Sequence, residues 1–124
     1  MGKRHLIIGS ILGALAVGLG AFGAHGLEDT LEANGRVDTF ETAVQYHMFH
    51  TLAILMVGIL MQQKTHQLLK LVSFLFLMGI LIFSGSLYVL SITNLTVLGS
   101  ITPLGGVSFI GGWILLIVYL VKTY

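Results

Sequence analysis

Residues 45–51 read QYHMFHT, and Tyr46, His47 and His50 within them are the side chains of this chain best suited to chemistry. Histidine is the side chain whose ordinary proton affinity lies nearest neutral pH, and it is a common metal ligand. His47 and His50 stand three residues apart, so on a helix their side chains diverge by about 60° and could share an ion. His25 is the candidate third ligand. The same groups could instead relay protons or solutes, hold a lipid-like or small amphiphilic ligand, or only tie helices together. The chain has no cysteine, and no nearby carboxylate completes a closed ligand set. A histidine metal or haem site is therefore the weakest of these readings, and no resident metal or cofactor is expected.

The elements that must position these residues follow from composition. Hydrophobic residues make up 56% of the 124 and charged ones 9%, and the mean hydropathy is +0.97. Such a chain is an integral membrane protein, not a soluble domain. At roughly 20 residues per span it has room for four helices and no separate soluble domain. Apolar stretches predict spans over 6–24, 40–62, 68–92 and 103–121, forming an all-α four-helix bundle that is one domain over 1–124. Lys3, Arg4, Lys64, Lys70 and Lys122 fall at one side, whereas Glu28, Asp29, Glu32, Asp38 and Glu41 fall at the other with Arg36 alone. Excess Lys and Arg mark the cytoplasmic side, so both termini are expected there, in a bacterial plasma membrane crossed several times. The basic start and the small residues of AFGA at 21–24 also suit a secretory signal peptide, but the apolar run is longer than a usual signal core.

Local signals mark the connections. Leu27 and Leu31 lie one helical turn apart among acids, and Asn34-Gly35 supplies a stop, which predicts a short amphipathic helix on the outer surface. The second span should start near Thr39, with Asp38 and Glu41 forming a capping box. Pro103 suits the first turn of the fourth span, where its missing N–H does no harm, and LTVLGSI before it should dip into the outer interface. Gly9, Gly13, Ala16, Gly20 and Gly23 align along one seam of the first span, and Gly105, Ser108 and Gly112 form a shorter one on the fourth. Small seams let helices approach closely in lipid, within one bundle or between two copies of the chain.

Taken together, GAFGAHGL at 20–27, TAVQYHMFH at 42–50, SGSLY at 84–88 and GSITPLGG at 99–106 resemble a family of small four-helix bacterial membrane proteins. That family is known as domain of unknown function 423, of the uncharacterised protein family 0382 type. The resemblance covers nearly the whole chain and implies a bacterial inner-membrane address without naming a chemistry. It also implies that Tyr46 and His50 belong to the family pattern, whereas position 47 is often glutamine.

Counted from Thr39, His50 lies about 17 Å along its helix, inside the outer half of the hydrocarbon, with His47 one turn shallower. Ser84, Ser86 and Tyr88 on the third span should reach a comparable depth, and His25 should close the outer end of the first. The expectation is one polar layer in the outer half, with a cavity between the first three spans, above a plain apolar inner half. His5 and His66 need only solvation at the inner interface. Paired carboxylates within the spans, a nucleophile elbow and a phosphate loop are all missing from the sequence, which argues against an enzyme. The expected partners are membrane lipid and a further copy of the chain, not nucleic acid.

Overall fold

The computed structural model describes residues 2–64 and 66–124. Among the described residues every regular element is helical. The spans are α1 (Gly2–His25), α3 (Val37–Gln63), a third helix over Gln67–Thr93 and α6 (Thr102–Thr123). The third is α4 (Gln67–Gly79) and α5 (Gly85–Thr93), joined through a π-helical turn over Ile80–Ser84. Each long helix outruns its apolar stretch, because backbone hydrogen bonding continues past the hydrocarbon into the headgroup zone. With four spans, both termini lie at one end of the bundle, and α2 (Glu28–Asn34) lies at the other.

Two tight helix pairs make the bundle, α1 with α3 and α4 with α6. Glycines explain both. Gly9 faces Leu55, where an added Cβ would stand 2.6 Å from Cδ2, and one on Gly23 would overlap the Phe40 ring. Gly13 and Gly20 look onto Thr51 and Val44, and Ala16 is buried in the same seam. The first seam thus packs against α3 within the chain. On the fourth span, Gly105 admits the Phe83 backbone, Gly112 receives the Phe76 ring, and Ser108 Oγ donates to the Leu75 carbonyl at 2.6 Å. Close backbone contact of this kind replaces the hydrophobic drive that is missing between helices in lipid. The two pairs meet along α3 and the third span, leaving wider gaps between α3 and α6 and between α1 and α4.

The capping box does not form. Gly35 takes the left-handed conformation with φ 65°, Gly35 N–H bonds to Glu32, and Arg36 N–H bonds to Leu31 at 2.9 Å, a Schellman closure of α2. Arg36 then accepts from Phe40 N–H, so α3 begins at Val37 and Asp38 sits inside its first turn. A tertiary contact holds this arrangement, since Arg36 Nε donates to Asn94 Oδ1 at 3.0 Å. Beside it, Asn34 Nδ2 donates to the carbonyls of Ser91 at 3.0 Å and Ile92 at 3.1 Å, satisfying the free end of α5. Asn34→Ala should therefore lower stability by about 1 kcal/mol, read as a lower unfolding temperature in detergent. Between α5 and α6 the chain makes a 3-10 turn over Thr96–Ser100, and Pro103 stands in the first turn of α6.

The half of the bundle near the termini is not plain. His5 Nδ1 and Ser73 Oγ bond at 2.7 Å across the gap between α1 and α4. His66 does more than meet solvent, because its Nδ1 accepts the Leu68 amide at 3.0 Å and caps α4. Both histidines answer polar groups that sequence spacing does not reveal: a serine facing a wide gap and an orphan helix-terminal amide.

Candidate functional site

His50 stands at the midpoint of α3 and Trp113 near the midpoint of α6, so the centre of the site is mid-bundle and not in one half. His50 Nδ1 bonds to the Tyr46 carbonyl at 2.9 Å, and the Trp113 indole N–H donates to His50 Nε2 at 3.0 Å. A carbonyl can only accept and an indole N–H can only donate. The proton therefore sits on Nδ1, the lone pair on Nε2, and the imidazole is neutral. Its ring lies on Phe109 with centroids 3.6 Å apart and planes 13° apart, and Phe76 closes another side at 5.5 Å. His50 is 3% exposed. With both nitrogens engaged, it offers no free atom to an ion.

His47 faces different neighbours. Its Nδ1 meets the Tyr88 hydroxyl at 2.8 Å, and Tyr88 packs on Phe40 at 5.2 Å. Its Nε2 is buried without a hydrogen bond among the described residues, and the backbone carbonyl of Leu12 in α1 lies beside the ring. The arrangement that leaves least unsatisfied has Tyr88 donating to Nδ1 and the proton on Nε2 toward that carbonyl. His47 and His50 thus serve different neighbours, Tyr88 on α5 and Trp113 on α6. Among the described residues no group of three histidines and carboxylates could hold a metal ion.

The expected single layer is divided into separate contacts. Ser84, turned inward by the π-helical segment, donates to the Ala43 carbonyl at 2.8 Å, and Ser86 bonds to Thr102 at 2.6 Å and to the Phe83 carbonyl. His25 lies outside all of them: it ends α1 exposed, because α1 packs on α3 while the cluster lies between α3 and the two later spans. The cavity beside His50 is likewise not among the first three spans. It is a groove of about 570 Å³ between α3, the π-helical segment and α6. Tyr46, Phe83, Phe109 and Trp113 form its aromatic walls, with Gln45 at one end and Gly106 opening room beside Phe83. Phe49 and Ile110, both exposed, make its rim, so it opens sideways from the middle of the spans.

Trp113, Phe109 and Phe83 are the residues that sequence reasoning passed over. One signal was available: the sole tryptophan stands mid-span, away from the interfacial belts that favour this residue. There its N–H must find an acceptor, and a histidine at mid-span is the natural one.

Four long apolar helices, glycine-seamed pairs and a sideways groove define a small multi-pass helical membrane protein. The chain belongs to the family described as protein of unknown function (DUF423), whose model matches residues 19–106. It is 46% identical over 121 residues to the UPF0382 membrane protein YwdK of Bacillus subtilis, covering 97% of this chain and 98% of that one. The UPF0382 membrane protein SSP2132 of Staphylococcus saprophyticus is 44% identical, with 94% and 95% covered. The UPF0382 inner membrane protein YgdD of Escherichia coli K12 is 42% identical, with 91% and 86% covered. The chain is thus a bacterial inner-membrane protein. No solved structure matches it.

Proposed function

We propose that this protein is a binding module for a membrane amphiphile, which it holds in the groove between α3, the π-helical segment and α6. One observation carries the reading. Tyr46 is 43% exposed at the groove, and its hydroxyl has no hydrogen-bond partner among the described residues, although it lies about one turn from mid-span. The Gln45 side chain beside it likewise has no hydrogen-bond partner among the described residues. Polar groups facing hydrocarbon are costly unless bonded. An amphiphile with a hydroxyl, carbonyl or ester head would satisfy both, while its apolar body lay on Phe83, Phe109 and Trp113. His50 is then a positioning residue that holds the Trp113 wall, and neither a proton relay nor a ligand to an ion.

Trp113 is the only tryptophan, so its fluorescence reports on the groove. A long-chain brominated alcohol titrated into nanodiscs should quench it saturably. Gly106→Leu fills the groove without striking the backbone, since the nearest atom to an added Cβ is Phe83 Cδ2 at 3.9 Å. That variant should abolish the saturable phase, and Tyr46→Phe should weaken it by about tenfold. Quenching that rises without saturation, equally in wild type and Gly106→Leu, would sink the reading.

A further inference from the structure

The second wide gap, between α1 and α4, ends in a cavity of about 540 Å³ at the termini end, lined by Lys3, Arg4, His5 and Lys70. We infer that it is a headgroup site for an anionic phospholipid, with Lys3 and Arg4 on one side and Lys70 on the other gripping one phosphodiester. Four features support this. First, each lining residue carries a cation or a ring N–H donor, so nothing in the cavity repels a phosphate. Second, Lys3, Arg4 and Lys70 have no carboxylate partner among the described residues, and all five acidic residues lie in or next to α2, at the far end of the bundle. Three like charges converging without a counter-ion repel one another, and an anion shared among them removes that repulsion.

Third, the lining residue His5 is held in place by a buried serine behind it. Ser73 is buried, and among the described residues its hydroxyl has no partner but His5 Nδ1. If the hydroxyl donates, no buried proton is stranded, and the His5 proton lies on Nε2, a donor left over for a phosphate oxygen. Fourth, the location selects a lipid over a free anion. Ile7 and Ile11 continue the exposed face of α1 from Lys3 and Arg4 into the span, and Leu71 and Phe74 do so on α4. Acyl chains leaving the cavity would run down these two apolar faces while the phosphate stayed at the level of the cations. This site is separate from the aromatic groove, which is uncharged and lies between other helices.

The test is native mass spectrometry of the detergent-purified chain with added phosphatidylglycerol or phosphatidylethanolamine, paired with unfolding temperatures. Wild type should retain one phosphatidylglycerol about tenfold more tightly than phosphatidylethanolamine. Arg4→Gln with Lys70→Gln should erase that preference, and each single change should weaken it. Lys64→Gln with Lys122→Gln removes the same charge at the same end but outside the cavity, and should keep it. Equal loss in both double variants would mean a diffuse basic surface and would overturn the site, as would a wild type that prefers neither lipid. Stabilisation by inorganic phosphate alone, matching that by phosphatidylglycerol, would overturn the assignment to a lipid. Should the Arg4/Lys70 double variant fail to fold, the two single variants decide in the same way.

Discussion

Gly105→Ala should destabilise the protein by about 3 kcal/mol, enough to leave much of it unfolded in detergent at 37 °C. The added Cβ would run into the backbone nitrogen of Phe83 and stand 2.7 Å from its Cα and Cβ. Where a Cβ meets the end of a flexible side chain, rotation can relieve it; a backbone atom inside a helix has nowhere to go. Phe83 also lies within the π-helical turn, so pushing it away would disturb Ser84 and its bond to the Ala43 carbonyl. Neighbouring glycines serve as controls. Gly106→Ala and Gly111→Ala place their Cβ 3.9 Å from Phe83 Cδ2 and 3.6 Å from Leu75 Cδ1, ordinary contact distances. Gly18 has open space around it. Alanine at these three should be neutral or stabilise by about 0.5 kcal/mol, because glycine loses more backbone freedom on folding. Reversible unfolding in mixed detergents would rank the four variants. Equal effects at Gly105 and Gly106 would show that α6 does not approach the π-helical turn this closely.

The membrane spans and both glycine seams were legible in the sequence because each depends on a local, repeating property. Apolar length sets a span, and spacing of three and four sets a helix face. What escaped was set by partners distant in the chain. The start of α3 moved from Thr39 to Val37 because Arg36 is tied to Asn94, and no local capping signal encodes that bond. The π-helical turn over Ile80–Ser84 has no proline and no conspicuous breaker; it is stabilised by Gly105 admitting Phe83 and by Ser84 reaching α3. Depth counted along one helix put His25, Tyr46, His47, His50 and the serines in one outer layer, whereas His50 stands at mid-span and His25 at the end of α1. Depth also could not tell which way each pointed. His47 and His50 differ by about 60° around α3, and that is enough for one to meet Tyr88 on α5 and the other Trp113 on α6. The groove was missed for the same reason, since its far wall comes from α6, where a phenylalanine and a tryptophan look like ordinary membrane residues.

His50→Leu should cost about 2 kcal/mol, and its coupling to Trp113 should identify where that energy comes from. Leucine fills much of the ring volume but strands the indole N–H in a place without water, and it loses the stacking on Phe109 at 3.6 Å. Trp113→Phe should cost less, about 1 kcal/mol, because it leaves only an unfilled acceptor on Nε2. In the double variant neither orphan remains, so the pair should be more stable than the sum of the single changes predicts, by about 1 kcal/mol. That size agrees with interhelical hydrogen bonds in membranes, which are modest because the unfolded chain in lipid finds other partners. A histidine kept for binding or proton movement at the expense of packing predicts the opposite sign: His50→Leu would leave stability unchanged or raise it. The two accounts also differ at the neighbouring position. His47→Gln should be nearly neutral, since an amide can accept from Tyr88 and donate toward Leu12, and position 47 differs from position 50 in needing no ring to stack on Phe109. His50→Gln should recover the bond to Trp113 but not the stacking, and so fall between wild type and His50→Leu. If His50→Gln is instead as destabilised as His50→Leu, the ring stacked on Phe109, and not the hydrogen bond across the gap, is what joins the two helix pairs.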